Sequence, residues 1–247
     1  MRSSKGISAR ARAALLISML GFGSAEGQDF AAQRARMVGE VDAMYAETRA
    51  ETGMGAMSPS VRAALGKVER HRLVPSRQAS AAYRNHPLPI GSGQTISQPY
   101  IVAISADLLN LKADDVVLEV GTGSGYQAAV IAEIVRQVYS IELIESLGKA
   151  AAGRLAEMGY RNIEVRIGDG YSGWPEKAPF DAIVVTAAAP HVPAALVAQL
   201  KTGGRMVIPL GASEDVQYLK LLTKRADGGY DEKRVLPVRF VPLVPGK

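Results

Sequence analysis

Leu118-Glu119-Val120-Gly121-Thr122-Gly123-Ser124-Gly125-Tyr126 is the stretch on which the reading of this chain turns. Val116–Val120 is a short apolar run of the kind that forms a strand buried on both faces. A helical pattern follows over Tyr126–Arg136. Glycines 121, 123 and 125 lie between the two, where the backbone must turn tightly and let a ligand come close. The dinucleotide fingerprint G-x-G-x-x-G needs Gly or Ala at position 126, and Tyr126 stands there, which compromises a diphosphate cradle for nicotinamide or flavin. A plain strand-to-helix turn is the other alternative, and three alternating glycines speak against it.

Outward from this stretch the pattern is regular. Strands are expected at Val138–Leu143, Ile163–Ile167, Asp181–Thr186 and Arg205–Leu210. Helices are expected at Glu145–Met158 and Pro193–Leu200. Alternating strands and helices imply an α/β fold on a mainly parallel sheet. Val216–Lys224 and Arg234–Leu243, joined through Asp227-Gly228-Gly229 with no helix between, predict an antiparallel pair at the sheet edge. Toward the N-terminus, Met37, Val41 and Met44 give helical spacing within Gln33–Glu51. Ser58-Pro59 reads as an N-cap with proline in the first turn of a second helix. Residues 76–99, rich in Pro, Gly, Ser and Gln, read as irregular.

Two more acids fall at strand ends. Glu142 comes 21 residues after Gly121, at the end of the second strand, where an acid can accept the hydroxyls of a ribose. Asp169, in Gly168-Asp169-Gly170 after the third strand, is placed to meet an adenine amino group, although Gly-Asp-Gly is also ordinary turn chemistry. A nucleoside held without a diphosphate by G-x-G-x-G and two acids points to S-adenosyl-L-methionine. The expected cofactor residues are Glu119, Gly121, Gly123, Ser124, Gly125, Glu142, Asp169 and Gly170.

Five segments of the chain together resemble the protein-L-isoaspartate (D-aspartate) O-methyltransferase family: Leu88–Ala103 (LPIGSGQTISQPYIVA), Val117–Tyr126 (VLEVGTGSGY), Gly168–Gly173 (GDGYSG), Pro179–Ala188 (PFDAIVVTAA) and Pro237–Val244 (PVRFVPLV). The first and last are distinctive of that family. The resemblance implies an α/β, Rossmann-like class I methyltransferase fold with an N-terminal helical cap. It also implies methyl transfer from S-adenosyl-L-methionine to the free carboxylate of L-isoaspartyl and D-aspartyl residues in damaged proteins and peptides, which initiates their repair. Ser97 matches the position usually regarded as the family's active-site residue. Thr95 and Ser97 match the family segment that closes over the active site, and are expected to bind substrate. A carboxylate is ionised at neutral pH, so the reaction needs no general base. No G-x-S-x-G elbow surrounds Ser97 and no His is placed to activate it, so it is expected to bind rather than attack. Thr186, at the end of the fourth strand, is expected to line the substrate pocket. The alanines that follow it, Ala187 to Ala189, offer no side-chain acceptor for an amino group, which argues against a base methylase.

Composition bounds the remainder. Hydrophobic residues at 47% and charged residues at 21% of 247 are globular usage, and exclude a disordered chain. Cysteine is absent, so disulfides and thiolate chemistry are excluded, and three scattered histidines predict no metal site. No apolar run reaches the roughly 20 residues of a spanning helix, so a soluble protein without stable membrane association is expected. The net charge of +5 could suggest nucleic acid, but four basic residues and no acidic ones lie in residues 1–25, leaving 25 basic against 24 acidic in the rest. No nucleic-acid partner is expected, and a monomer is. Arg2, Lys5, Arg10 and Arg12 ahead of the apolar Ala13–Phe22 and Gly23-Ser24-Ala25 have the form of a secretory leader, or of a basic extension. A cytoplasmic enzyme is expected because the methyl donor is made there; export is the alternative if residues 1–25 are cleaved. Residues 1–30 are thus an extension and 31–247 the methyltransferase domain, with cap and substrate loop at 31–113 and the cofactor-binding sheet at 114–247.

Overall fold

The computed structural model describes residues 29–212 and 216–246; the leader-like segment lies outside the described residues. Seven strands form the central sheet: β3 (Val116–Val120), β4 (Gln137–Glu142), β5 (Ile163–Ile167), β6 (Phe180–Val185), β7 (Leu200–Leu210), β8 (Gln217–Lys224) and β9 (Tyr230–Val238). Their order is β5-β4-β3-β6-β7-β8-β9. The pairs from β5 to β7 are parallel; β7–β8 and β8–β9 are antiparallel. The first strand therefore sits at a switch point between β4 and β6, where open α/β sheets bind their ligands.

Alternate residues of the strands go to opposite layers. Val117, Val138, Val184 and Val207 join the core shared with the N-terminal helices, whereas Leu118, Ile141, Ile183, Met206 and Ile208 pack on Phe180, Leu196 and Trp174 beneath the other face. Burial on both sides is why these strands read as unbroken apolar runs. Helices α5 (Tyr126–Ala132) and α6 (Glu145–Glu157) supply the crossovers after β3 and β4, and α7 (Ala194–Gln199) precedes β7.

The N-terminal region is a helical layer: α1 (Phe30–Glu47), a single turn α2 (Arg49–Thr52), α3 (Pro59–Lys67) and α4 (Pro99–Leu109). Thr48 breaks the first helix, its hydroxyl donating back to Met44 O at 2.8 Å. Ser58 caps α3 by accepting from Val61 N–H. The Tyr45 hydroxyl donates to Asp107 Oδ2 at 2.5 Å, fastening α1 to α4.

Three expectations need correction. Residues 76–99 are not irregular throughout: they contain the hairpin β1 (Leu88–Gly91) and β2 (Gln94–Ile96). Ser92 and Gly93 both take positive φ, 51° and 70°, as a tight two-residue hairpin turn requires. Strand β7 begins at Leu200, five residues earlier than expected, because Gly203-Gly204 form an irregularity inside the strand rather than its boundary. Strand β9 spans Tyr230–Val238, not 234–243. After it the chain leaves the sheet edge and crosses to the segment following β6, where Ala188 N–H donates to Val241 O and Leu243 N–H to Ala188 O.

Candidate active site

The glycine turn is shaped by close approaches. All three glycines have positive φ: 101° at Gly121, 53° at Gly123 and 88° at Gly125. A Cβ on Gly121 would overlap Thr186 Oγ1. That hydroxyl donates to Gly121 O at 2.6 Å and to Val120 O at 3.1 Å. Thr186 therefore clamps the turn from the neighbouring strand. From the other side, Gly121 N–H and Thr122 N–H both donate to Ile141 O of β4.

Glu142 is fixed in the same wall. Its two carboxylate oxygens accept Gly123 N–H at 2.8 Å and Ile144 N–H at 2.9 Å. Each oxygen keeps a further lone pair, which suits a vicinal pair of hydroxyls. Beneath it, Glu119 is completely buried. Ser140 Oγ donates to Glu119 Oε2, and Thr122 Oγ1 lies 2.6 Å from Ser140 Oγ. Oε1 has no partner. Burial pushes the Glu119 carboxyl up to about 8, the Ser140 hydrogen bond opposing and the nearby Glu142 charge reinforcing. A buried acid with one open oxygen in a cavity wall is a place for a cationic or hydrogen-donating ligand.

Two cavities meet here. The first is walled by Glu119–Ser124, Tyr126 and Gln127, by Ile141–Ile144 and Gly170, and by Val241–Val244. The second is lined by Pro87, Gln98, Ile101 and the run Pro237–Val241. Thr95, Ser97, Thr186 and Val241 belong to both. The three hydroxyl residues singled out in the sequence thus form the partition between two spaces, an arrangement suited to transfer between two bound molecules.

Of the expected cofactor residues, Glu119, Gly121, Gly123, Ser124, Glu142 and Gly170 reach the first cavity, and Gly125 and Asp169 do not. Gly125 serves helix packing: a Cβ there would stand 3.0 Å from Leu155 Cδ1 of α6. Asp169 caps its own turn, Oδ1 accepting Tyr171 N–H at 2.8 Å, and the adjacent Gly170 lines the cavity. Sequence reasoning missed Gln127, Ile144 and the Val241–Val244 wall. Gln127 and Ile144 flank motifs that were read. The last wall had no chemical signal beyond its place in a family-like segment.

Comparison with known proteins agrees with this geometry. Residues 42–247 match the family model for protein-L-isoaspartate(D-aspartate) O-methyltransferase. The chain belongs to this family. A protein-L-isoaspartate O-methyltransferase 1 of Nitrosospira multiformis is 62% identical over 203 residues, covering 82% of this chain and 86% of the relative. The namesake from Cupriavidus necator is 57% identical, covering 87% and 83%. A solved protein-L-isoaspartate O-methyltransferase superposes with a TM-score of 0.75 at 27% identity, covering 85% of this chain and 65% of that longer one. A structure from Plasmodium falciparum, described as a putative protein-L-isoaspartate O-methyltransferase in complex with S-adenosyl-L-homocysteine, shares the fold with a TM-score of 0.69 at 22% identity, covering 86% and 98%. Membership of the isoaspartate methyltransferases accounts for a sheet that ends in an antiparallel edge pair and carries a helical layer on one face.

Proposed function

We infer that this chain transfers a methyl group from S-adenosyl-L-methionine to the free carboxylate of L-isoaspartyl, and D-aspartyl, residues of damaged proteins and peptides, starting their repair. The observation that carries the reading is the shared partition: Thr95, Ser97 and Thr186 line both the cavity beside the glycine turn and a second one next to it. Bound in the first cavity, S-adenosyl-L-methionine supplies an electrophilic methyl carbon. The residues present fit it, since the glycine turn admits close backbone approach and Glu119 Oε1 is an open buried acceptor.

The work of the protein is then alignment. Glu142 fixes the ribose end, Gly121, Gly123, Ser124 and Gly170 admit the rest of the nucleoside, and Glu119 offers its open oxygen to the charged end. Ser97 and Thr95, which line both cavities, would donate hydrogen bonds to an acceptor carboxylate bound in the second and so hold it for transfer. Thr186 acts through the turn it clamps. The carboxylate arrives ionised, so no proton has to be moved before transfer, and rate enhancement comes from orientation and charge placement. Arg239, exposed on the rim of the second cavity, adds positive charge where an anionic group enters. Residues 31–113 serve as cap and substrate loop over the 114–247 sheet, and the cytoplasm, where the donor is made, is the compartment of choice. Among the described residues no helix is long and apolar enough to cross a membrane.

The test is incubation with methyl-labelled donor and either an isoaspartyl peptide or its normal aspartyl twin. Label is expected in the isoaspartyl peptide alone, as a base-labile ester. Equal labelling of both, or of neither, overturns the reading.

A further inference from the structure

The largest fully buried side chain described in this molecule is an arginine, Arg70, with 0% of its surface exposed. It sits in the short 3-10 turn Arg70–Leu73 that follows α3. None of the ion pairs among the described residues includes it. Its partners are neutral. Nε donates to Ala82 O at 2.7 Å and Nη2 to His86 O at 3.4 Å. The guanidinium carbon lies 4.5 Å from the centre of the Tyr126 ring. Nη1 and the Tyr126 hydroxyl have no partner. Burial lowers its pKa to about 10, so the group is still charged at neutral pH.

A buried charge without a counter-ion is costly, and packing alone would be served as well by an apolar side chain of similar size. The contacts suggest another use. Ala82 and His86 belong to the segment that runs into β1, and the β1–β2 hairpin leads directly to Thr95 and Ser97. Tyr126 opens α5 immediately after the glycine turn and lines the first cavity. Ile90 of the same hairpin reaches over the turn, its Cδ1 3.6 Å from where a Cβ of Gly123 would stand. Arg70 is thus a single side chain that touches both the chain entering the hairpin and Tyr126 in the wall of the first cavity.

We propose that Arg70 is a positioning residue for methyl transfer: by tying the chain that enters the hairpin to the first turn of α5, it holds the Thr95 and Ser97 hydroxyls in register with the glycine turn. The proposal rests on the assignment of those hydroxyls to the carboxylate side. A misregister of about 1 Å between reacting groups lowers turnover about a hundredfold while leaving each ligand its own contacts.

The experiment compares the full-length chain with Arg70→Gln, Arg70→Lys and Ser97→Ala. It measures kcat and KM for an isoaspartyl peptide, calorimetric Kd for S-adenosyl-L-homocysteine, and melting temperature. Arg70→Gln is expected to lower kcat by about tenfold to a hundredfold with KM and Kd within about threefold of the parent. Arg70→Lys, which keeps the charge on Tyr126 but cannot span both carbonyls, should fall between. A purely structural role predicts a lower melting temperature with kcat within twofold when assayed well below it, and that result overturns the proposal. A kcat loss that disappears on lowering the assay temperature does so too. If Arg70→Gln does not fold, Arg70→Lys is judged by the same criteria. An unchanged kcat in Ser97→Ala overturns the hydroxyl assignment beneath the proposal; an unchanged kcat in the Arg70 variants alone overturns the proposal and leaves that assignment standing.

Discussion

Glu119 shows how much one residue's surroundings decide. It is a strand residue that lines the first cavity, yet it is fully buried, with one oxygen on Ser140 and the other without a hydrogen-bond partner. Its carboxyl is raised from 4.5 to about 8. The folded protein therefore keeps a proton that the unfolded chain gives up between about pH 4.5 and 8, so this group's contribution to stability falls as pH rises through that window and levels off above it. A cation in the cavity favours the ionised form, so its binding should expel the proton. Affinity for S-adenosyl-L-methionine should rise from pH 6 to pH 8, with proton release visible by calorimetry in buffers of different ionisation enthalpy. Glu119→Gln should flatten both the affinity profile and the corresponding part of the melting-temperature profile. Parallel profiles in variant and parent would remove Glu119 from the site.

At the scale of elements, the junction between hairpin and α4 delivers Ser97. The hairpin ends at Ile96, which is buried, and α4 begins at Pro99, so Ser97 is held between two anchored positions. Ser97→Ala should lower kcat by about a hundredfold, the low end of what losing one well-placed donor costs. Stability should move by less than about 1 kcal/mol, since Ser97 is only half-buried. An unchanged rate would strike it from the mechanism. The same region marks the limit of what the sequence made legible. The parallel strands were plain because burial on both faces leaves apolar runs bounded by turn residues. Helix α4 was not read because ten of its eleven residues are buried, and a helix apolar all round has no amphipathic period. Strands of four and three residues, as in the hairpin, are too short to show alternation. Among residues that line the first cavity, Glu142 was legible from its spacing to the glycines. Gly125 and Asp169 were assigned to the ligand because their residue types suit two uses. Their contacts with Leu155 and Tyr171 show the second use, which spacing within the motif does not reveal.

For the whole molecule, the decisive feature is the path of the last described residues. The sheet is complete at Val238, yet the chain continues across its carboxyl edge, where Val241 lines both cavities and Pro242 to Val244 close the first. The path is fixed by the paired bonds of Ala188 with Val241 and Leu243, by the Tyr171 hydroxyl donating to Leu243 O at 3.2 Å, and by Phe240 N–H donating to Gln217 Oε1 at 2.6 Å. The terminal segment therefore adds a wall to the cavities beyond the last strand of the sheet. Truncation after Phe240 should leave the far-UV spectrum unchanged. It removes three hydrogen bonds and a partly buried leucine, for a loss of about 2–4 kcal/mol. In a chain of this size that lowers Tm by about 4–16 °C. Affinity for S-adenosyl-L-homocysteine should fall at least tenfold and the KM for an isoaspartyl peptide should rise with it, because one segment borders both ligands. If the truncated protein bound cofactor and substrate as the parent does, the cavities would have to be closed by the helical layer alone.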